Sequence, residues 1–274
     1  MKPFVKWAGG KTKLISKIVA KMPNKYNKYI EPFVGGGSLF FHIQPHDFIL
    51  NDINSELIDT YKCFSNNDEY NELIKLLQIH MKNHNENYFY EIRNQDRKPD
   101  FLKWSRVQRA ARFIYLNKSC FNGLYRVNKS GFFNVPSGKK ANINLIDHDN
   151  FVSIHKLLKE KNKNILNLDF EKVLEFADMN DFVYLDPPYS DLDDRKSFTS
   201  YTKENFYVSD QMRLKEIVDS LTKKGVKVMI SNHGSTFIKN LFKNYNIETI
   251  FVKRLIGSKI DTRKDVEEVI ITNY

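Results

Sequence analysis

Short apolar runs recur along this chain with helix-period stretches between them, and that alternation is broken once, near the middle. Tyr29 to Phe33, Phe48 to Leu50, Asn164 to Leu168, Phe182 to Leu185 and Val226 to Ile230 are bounded by polar or turn residues and are expected to be strands; Ile247 to Val252 and Val266 to Thr272 follow. Ser38 to Ile43, Asn54 to Phe64 and Asp210 to Leu221 carry helical periodicity, and the last runs into Lys223-Lys224-Gly225, basic residues then glycine, as helices often end. Strands alternating with helices demand an α/β fold with an open, doubly wound, mostly parallel sheet. From about Asp68 to Glu160 the pattern is instead helical and then loop-rich, with Gly123, Gly131, Pro136 and Gly138 clustered. This reads as a mainly helical insertion. The expected division is 1–58 with 160–274 as one α/β domain and 59–159 as the inserted one.

Charge separates the two parts. The chain carries 43 Lys and Arg against 33 Asp and Glu, and the whole net charge of +10 falls within residues 93 to 140, which hold twelve basic and two acidic side chains. A solvated helix face mixes signs, so a block of one sign favours a polyanion. No apolar run approaches the roughly 18 residues needed to span a bilayer, and Met1 to Trp7 lacks the apolar core of a secretory leader. Cys63 and Cys120 are far apart and form no C-x-x-C pair, which fits a reducing, cytoplasmic setting and neither a disulfide framework nor a zinc site; no metal is expected.

Three motifs carry chemistry. Glu31-Pro32-Phe33-Val34-Gly35-Gly36-Gly37-Ser38 follows a strand and precedes a helix, where glycines let backbone approach a cofactor closely, although a structural tight turn would look the same. One strand later comes Asn51-Asp52-Ile53-Asn54, an acidic residue placed to accept from ribose hydroxyls; Asp52 or Asn54 could equally cap the next helix, and both can hold together. Near the amino terminus, Lys6-Trp7-Ala8-Gly9-Gly10-Lys11-Thr12 invites a phosphate-loop reading, but that motif needs a glycine where Val5 stands and a preceding strand, so an NTPase is rejected. Its glycines and Lys11 suit a small carboxylate instead. The third motif is Asp186-Pro187-Pro188-Tyr189 at the end of the run Phe182 to Leu185. Each proline fixes φ and lacks an N–H, so the pair stops the strand and stiffens the turn. That presents the Asp186 carboxylate and the Pro187 carbonyl as two rigid acceptors for an amino group, beside the flat face of Tyr189.

These motifs, in this order, resemble the Dam family of DNA adenine-N6 methyltransferases. Besides those quoted, the resemblance rests on Asn122-Gly123-Leu124-Tyr125-Arg126, Phe133-Asn134-Val135-Pro136, Asp169-Phe170 and Ser231-Asn232-His233, and it spans almost the whole chain. It implies a Rossmann-like methyltransferase sheet that binds S-adenosylmethionine, with 59–159 as a target-recognition domain acting on double-stranded DNA. Trp7, Lys11, Gly35, Asp52, Asp169 and Phe170 would line the cofactor site, with Asp52 on the ribose and Asp169 on the adenine amine. The family reads GATC, with the positions of Lys6 and Arg126 on guanine. Where the family often has Arg then Tyr after F-N-V-P-x-G, this chain has Lys139-Lys140. The resemblance also implies a bacterial or phage type II restriction-modification enzyme, whose endonuclease would share its site without a stable complex.

The chemistry expected is direct. Adenine's amine is a poor nucleophile because its lone pair is delocalised. Hydrogen bonds to Asp186 and Pro187 would favour a pyramidal nitrogen and stabilise the charge that develops on it. The base must leave the duplex to be reached, and Tyr189 would stack on it. Arg109, at the start of the basic run Arg109 to Lys118, is expected to face phosphates, and Lys139 to contact DNA. Phe121 and Asn122 would fill the space left by the flipped base, Leu124 would contact DNA in the same turn, and Arg126 would read a guanine. A hairpin core remains the alternative for Phe121 and Leu124. Cytosine-C5 chemistry is disfavoured, because both cysteines lie away from the strand-end motifs. The competing readings are the same core acting on another DNA site, on an RNA adenine, on a cytosine-N4 amine or on a glutamine amide, and a DNA-binding relative that has lost activity.

Overall fold

The computed structural model describes residues 1–7, 9–11, 14–189, 206–253 and 265–274. Ala8 and Thr12 of the amino-terminal motif fall outside the described residues. Among the described residues seven strands form one sheet: β1 (Tyr29–Glu31), β2 (Phe48–Asn51), β3 (Ile165–Leu166), β4 (Phe182–Leu185), β5 (Lys227–His233), β6 (Asn246–Lys253) and β7 (Asp265–Thr272). Their order is β3-β2-β1-β4-β5-β7-β6. The first five are parallel, and β7 lies antiparallel between β5 and β6. The helices are α1 (Ile15–Ala20), α2 (Ser38–Ile43), α3 (Ser55–Ser65), α4 (Asn67–Lys82), α5 (Glu86–Arg93), α6 (Arg106–Ser119), α7 (His148–Leu158), α8 (Phe170–Leu174), α9 (Val208–Lys223) and α10 (Thr236–Leu241). This is a doubly wound, mostly parallel α/β sheet with a helical insert, as expected.

Strand alternation assigns side chains to the two faces. Tyr29, Phe182, Tyr184, Met229 and Ile270 enter one hydrophobic cluster, which also takes in Phe89, Ala110 and Ile114 of the inserted helices. Ile30, Val183, Leu185, Val228, Ile230, Val269 and Ile271 enter the other, under α8, α9 and α10. The insertion therefore shares an apolar cluster with one face of the sheet, with α4, α6 and α7 packed on α3 and α3 in turn against β3. Fully burying a large apolar side chain contributes roughly 1.5–3 kcal/mol, so this continuity ties the segment from α4 to α7 to the α/β core.

Of the boundaries that differ from the sequence reading, two have clear local reasons. β1 stops at Glu31 rather than Phe33, because Pro32 and the turn after it leave the ladder. β5 runs on to His233, because β7 pairs with it there, Ser231 opposite Ile270 and His233 opposite Glu268. α3 is capped by the Asn54 side chain, which accepts from Leu57 N, while Asp52 accepts from Asn54 N. Asn54 thus takes the capping role and leaves Asp52 turned to the glycine loop.

Candidate active site

The chain leaves β1 toward β2 and β3 on one side and returns as β4 on the other, so β1 and β4 flank the topological switch point. In open α/β sheets ligands sit beyond the carboxyl ends of strands at that point. The glycine loop follows β1 there and Asp186 follows β4. Two buried strands with paired registers, Tyr29 with Phe182 and Ile30 with Val183, bring the two loops side by side.

The glycine loop is shaped for close approach. Gly35 and Gly37 have φ of 48° and 70°, in the left-handed region that favours glycine. A Cβ on Gly35 would sit 2.6 Å from Trp7 Cδ1, and one on Gly37 2.5 Å from the Tyr61 hydroxyl. Asp52 reaches in from the end of β2 and accepts from Gly35 N at 2.9 Å. Burial raises its carboxyl pKa to about 6, against the opposing pull of the Asn54 and Gly35 amides. At the end of β3, Asp169 caps α8 and pairs with Arg213 at 2.9 Å; Arg213 in turn lies over the buried Phe170 ring, 4.4 Å from its centroid. Phe33 packs on Phe170 with ring centroids 5.4 Å apart. A glycine loop, a carboxylate one strand on and an aromatic wall form a donor set that fits an adenosyl cofactor.

Asp186 sits against Lys11, whose Nζ is 2.7 Å from Asp186 Oδ1, and Ser231 Oγ donates to the same oxygen at 2.8 Å. Lys11 is buried and also lies over the Tyr189 ring, 4.7 Å from its centroid. The Ser231 contact follows from register: Leu185 pairs with Ile230, so the next residues are neighbours. The Tyr184 and Ser231 hydroxyls are 2.9 Å apart, and the Tyr189 hydroxyl donates to Glu268 at 3.1 Å. Burial raises the Asp186 pKa, while Lys11 and Ser231 pull it back and nearby Glu268 adds to the rise. Sequence reading missed Ser231 as a partner of Asp186, and Glu268 and Arg213 altogether. A carboxylate embedded in the apolar run of β7 was the available signal for Glu268.

Near this crevice lies the turn carrying Phe121 to Arg126. Phe121 is 52% and Leu124 40% exposed, so neither belongs to a hairpin core, and Asn122 between them has φ of 55°. Arg126 Nε donates to Asn134 Oδ1 at 2.7 Å across the paired segment formed by Val127 and Phe133. Lys6 is exposed, with its aliphatic stem over Gly123, and Lys139 is exposed with φ of 51°. Arg109, expected to face phosphates, is half-buried, with its guanidinium held by Asp59 at 2.9 Å and by Trp104 O at 2.6 Å. Arg112, a turn further on, is buried and paired with Asp96 at 2.7 Å and Glu56 at 3.3 Å. The helix points these arginines inward because α3 and the segment after α5 supply carboxylates that the residue pattern of α6 does not reveal.

Cys63 and Cys120 are both buried. Burial pushes the Cys63 thiol far above its ordinary range and the Cys120 thiol to about 11, so neither offers a thiolate near neutral pH. Among the described residues no helix is long and apolar enough to cross a membrane.

Comparison with known proteins agrees with this geometry. A type II methyltransferase of Lactococcus lactis subsp. cremoris, M1.LlaDCHI, is 43% identical over 274 residues, covering all of this chain and 96% of the relative. A type II methyltransferase of Methanocaldococcus jannaschii, M.MjaIII, is 43% identical over 294 aligned positions, covering all of this chain and 99% of its own length. The DNA adenine methylase of Escherichia coli is 34% identical over 268, covering 97% of this chain and 93% of its own. The model of the D12 class N6 adenine-specific DNA methyltransferases matches residues 7–256. With that match spanning both strand-end loops and the whole insertion, the chain belongs to the D12 class of N6 adenine-specific DNA methyltransferases.

Proposed function

We propose that the crevice at the switch point holds S-adenosylmethionine against the glycine loop and a flipped adenine against Asp186, Pro187 and Tyr189, and that the target is GATC in duplex DNA. The observation that carries this reading is the juxtaposition of the Gly35 loop, at the end of β1, with Asp186, at the end of the neighbouring β4. Trp7, Lys11, Gly35, Asp52, Asp169 and Phe170 would hold the cofactor, which supplies an already activated methyl group on its sulfonium. Asp52 accepts from the ribose hydroxyls, and Asp169 from the adenine amine of the cofactor while Arg213 fixes its other oxygen.

The residues of the chain do the rest. Among the described residues Lys11 and Ser231 both meet the Asp186 carboxylate at Oδ1, so Oδ2 is the oxygen offered to the target amine. Pro187 O takes its second hydrogen. Held this way, the nitrogen turns its lone pair toward the methyl group, and the ionised carboxylate stabilises the charge that grows there. Asp186 acts by orienting and polarising, never as a nucleophile. The Tyr189 ring, tied at its hydroxyl by Glu268, is the stacking surface that offsets part of the few kcal/mol lost in unpairing.

Phe121, Asn122 and Leu124 suit the gap a flipped base leaves, since they project from a turn with exposed apolar side chains. Arg126, anchored through Nε to Asn134, would read a guanine through its two terminal amino groups, joined by Lys6, whose stem lies over Gly123 of the same turn. Lys139 faces phosphate. The type II relatives support a role in protecting DNA from an endonuclease that reads the same site. Methyl transfer from labelled S-adenosylmethionine to duplex DNA, followed by sequencing of methylated adenines, tests all of this. Label on RNA or protein and none on DNA would overturn the reading, and methylation of Asp186→Ala above a small residue would remove that carboxylate from the mechanism.

A further inference from the structure

Lys6 and Trp7 form a single wall between two sites. On one side the Trp7 indole covers Gly35 so closely that a Cβ there would meet it at 2.6 Å. On the other side the same indole stacks on Tyr125, ring centroids 5.5 Å apart and planes at 24°, and packs on Phe113 at 6.1 Å. The main chain of Lys6 is clamped by the fully buried Asn117 of α6. Lys6 N donates to Asn117 Oδ1, and Asn117 Nδ2 donates back to Lys6 O, both at 2.8 Å. Asn117 Nδ2 also donates to Gly123 O at 3.0 Å, in the turn that carries Asn122 and Leu124. Tyr125 is anchored in turn, its hydroxyl donating to Glu56 Oε2 at 2.9 Å, and it is the residue next to Arg126.

We propose that Asn117 and Tyr125 are positioning residues that couple occupancy of the glycine loop to seating of the recognition turn on DNA, through the shared Lys6–Trp7 wall. This rests on the assignment of Gly35 to the cofactor and Arg126 to DNA made above. Trp7 cannot leave Gly35 without leaving Tyr125, and Tyr125 cannot shift without moving Arg126. A displacement of the wall by a ligand on either side is therefore carried to the other, and the effect is reciprocal. Asn117→Leu would remove the bonds to Lys6 and to Gly123 O, whereas Tyr125→Phe would keep the stack and lose only the bond to Glu56.

The test measures the dissociation constant of S-adenosylhomocysteine alone and with saturating duplex carrying the site that the methylation assay identifies, and the dissociation constant of that duplex with and without S-adenosylhomocysteine. The wild type is expected to show the same factor both ways, roughly fivefold or more. Tyr125→Ala should bring the factor within about twofold of unity, and Tyr125→Phe should retain it; these limits follow from a stack that carries the coupling. A second measurement does not need the alanine variant to fold. With only two tryptophans in the chain, Trp104→Phe leaves Trp7 as the sole emitter, and duplex alone should change its emission. Independent binding in the wild type, coupling kept by Tyr125→Ala, or Trp7 emission unmoved by duplex would each overturn the proposal while leaving the functional reading intact. Failure of S-adenosylhomocysteine or duplex to bind at all would overturn the functional reading, and the coupling with it.

Discussion

Replacing Lys11 with methionine keeps most of the side chain's bulk and removes its charge from beside Asp186. The pair is largely sheltered, with the side chains 6% and 20% exposed and 2.7 Å between Nζ and Oδ1. At an effective dielectric of about 20, unit charges at that separation attract by roughly 6 kcal/mol. Desolvation of both groups offsets much of this, and removing one partner of a buried pair costs about 3–5 kcal/mol because the other charge is left uncompensated. The lower end applies here, since Ser231 still donates to the carboxylate. A loss of about 3 kcal/mol should lower the melting temperature by roughly 6–10 °C. The pH dependence carries the sharper test. Burial already raises the Asp186 pKa and Lys11 opposes the rise, so losing Lys11 moves it further up. A carboxyl with a raised folded-state pKa contributes most below its unfolded value, and that contribution is lost as pH rises through the folded one. The deficit of Lys11→Met should therefore be small in acid, where Asp186 is protonated and needs no cation, and grow toward neutral pH. Methylation requires the ionised carboxylate, so the acid limb of kcat at saturating cofactor should shift to higher pH in the variant. Urea denaturation across pH and single-turnover rates measure the two effects. A deficit independent of pH, together with an unmoved acid limb, would refute the argument.

Asp52, with a pKa near 6, should make cofactor affinity fall several-fold as pH drops from 7.5 to 5.5, because an ionised acceptor binds hydroxyls more strongly than a neutral acid; titration calorimetry with S-adenosylhomocysteine would show it, and a flat profile would exclude the role. Arg126→Ala should relax sequence choice by about 1–3 kcal/mol of discrimination at one base pair, read from competitive methylation of variant duplexes; a loss uniform across sequences would mark a phosphate contact instead. Arg112→Ala should destabilise the fold by about 3 kcal/mol, the lower end for a broken buried pair, since Arg97 still holds Asp96 and the Tyr125 hydroxyl still donates to Glu56, while changing the salt dependence of DNA binding little. That salt dependence should be steep for the wild type, with a log–log slope near −0.9 for each phosphate neutralised, and a shallow slope would show that the basic block does not meet the backbone.

The sequence by itself determined the elements that are written locally. β4 ends where expected because a buried apolar run is halted by two prolines, and α2 begins after a run of glycines. Alternation of strand and helix sufficed for the α/β class, and the charge block marked the insertion. Tertiary structure alone decided which charged groups meet. Lys11 and Asp186, or Ser231 and Asp186, come from distant segments that only sheet order and register bring together. The same physics governs α6. Its arginines look like a phosphate-facing stripe when the helix is considered alone, but Asp59, Glu56 and Asp96 on packed neighbours draw Arg109 and Arg112 inward. Periodicity records which face of an element is apolar. Which carboxylate answers which cation depends on how the faces pack, and no local pattern carries that information.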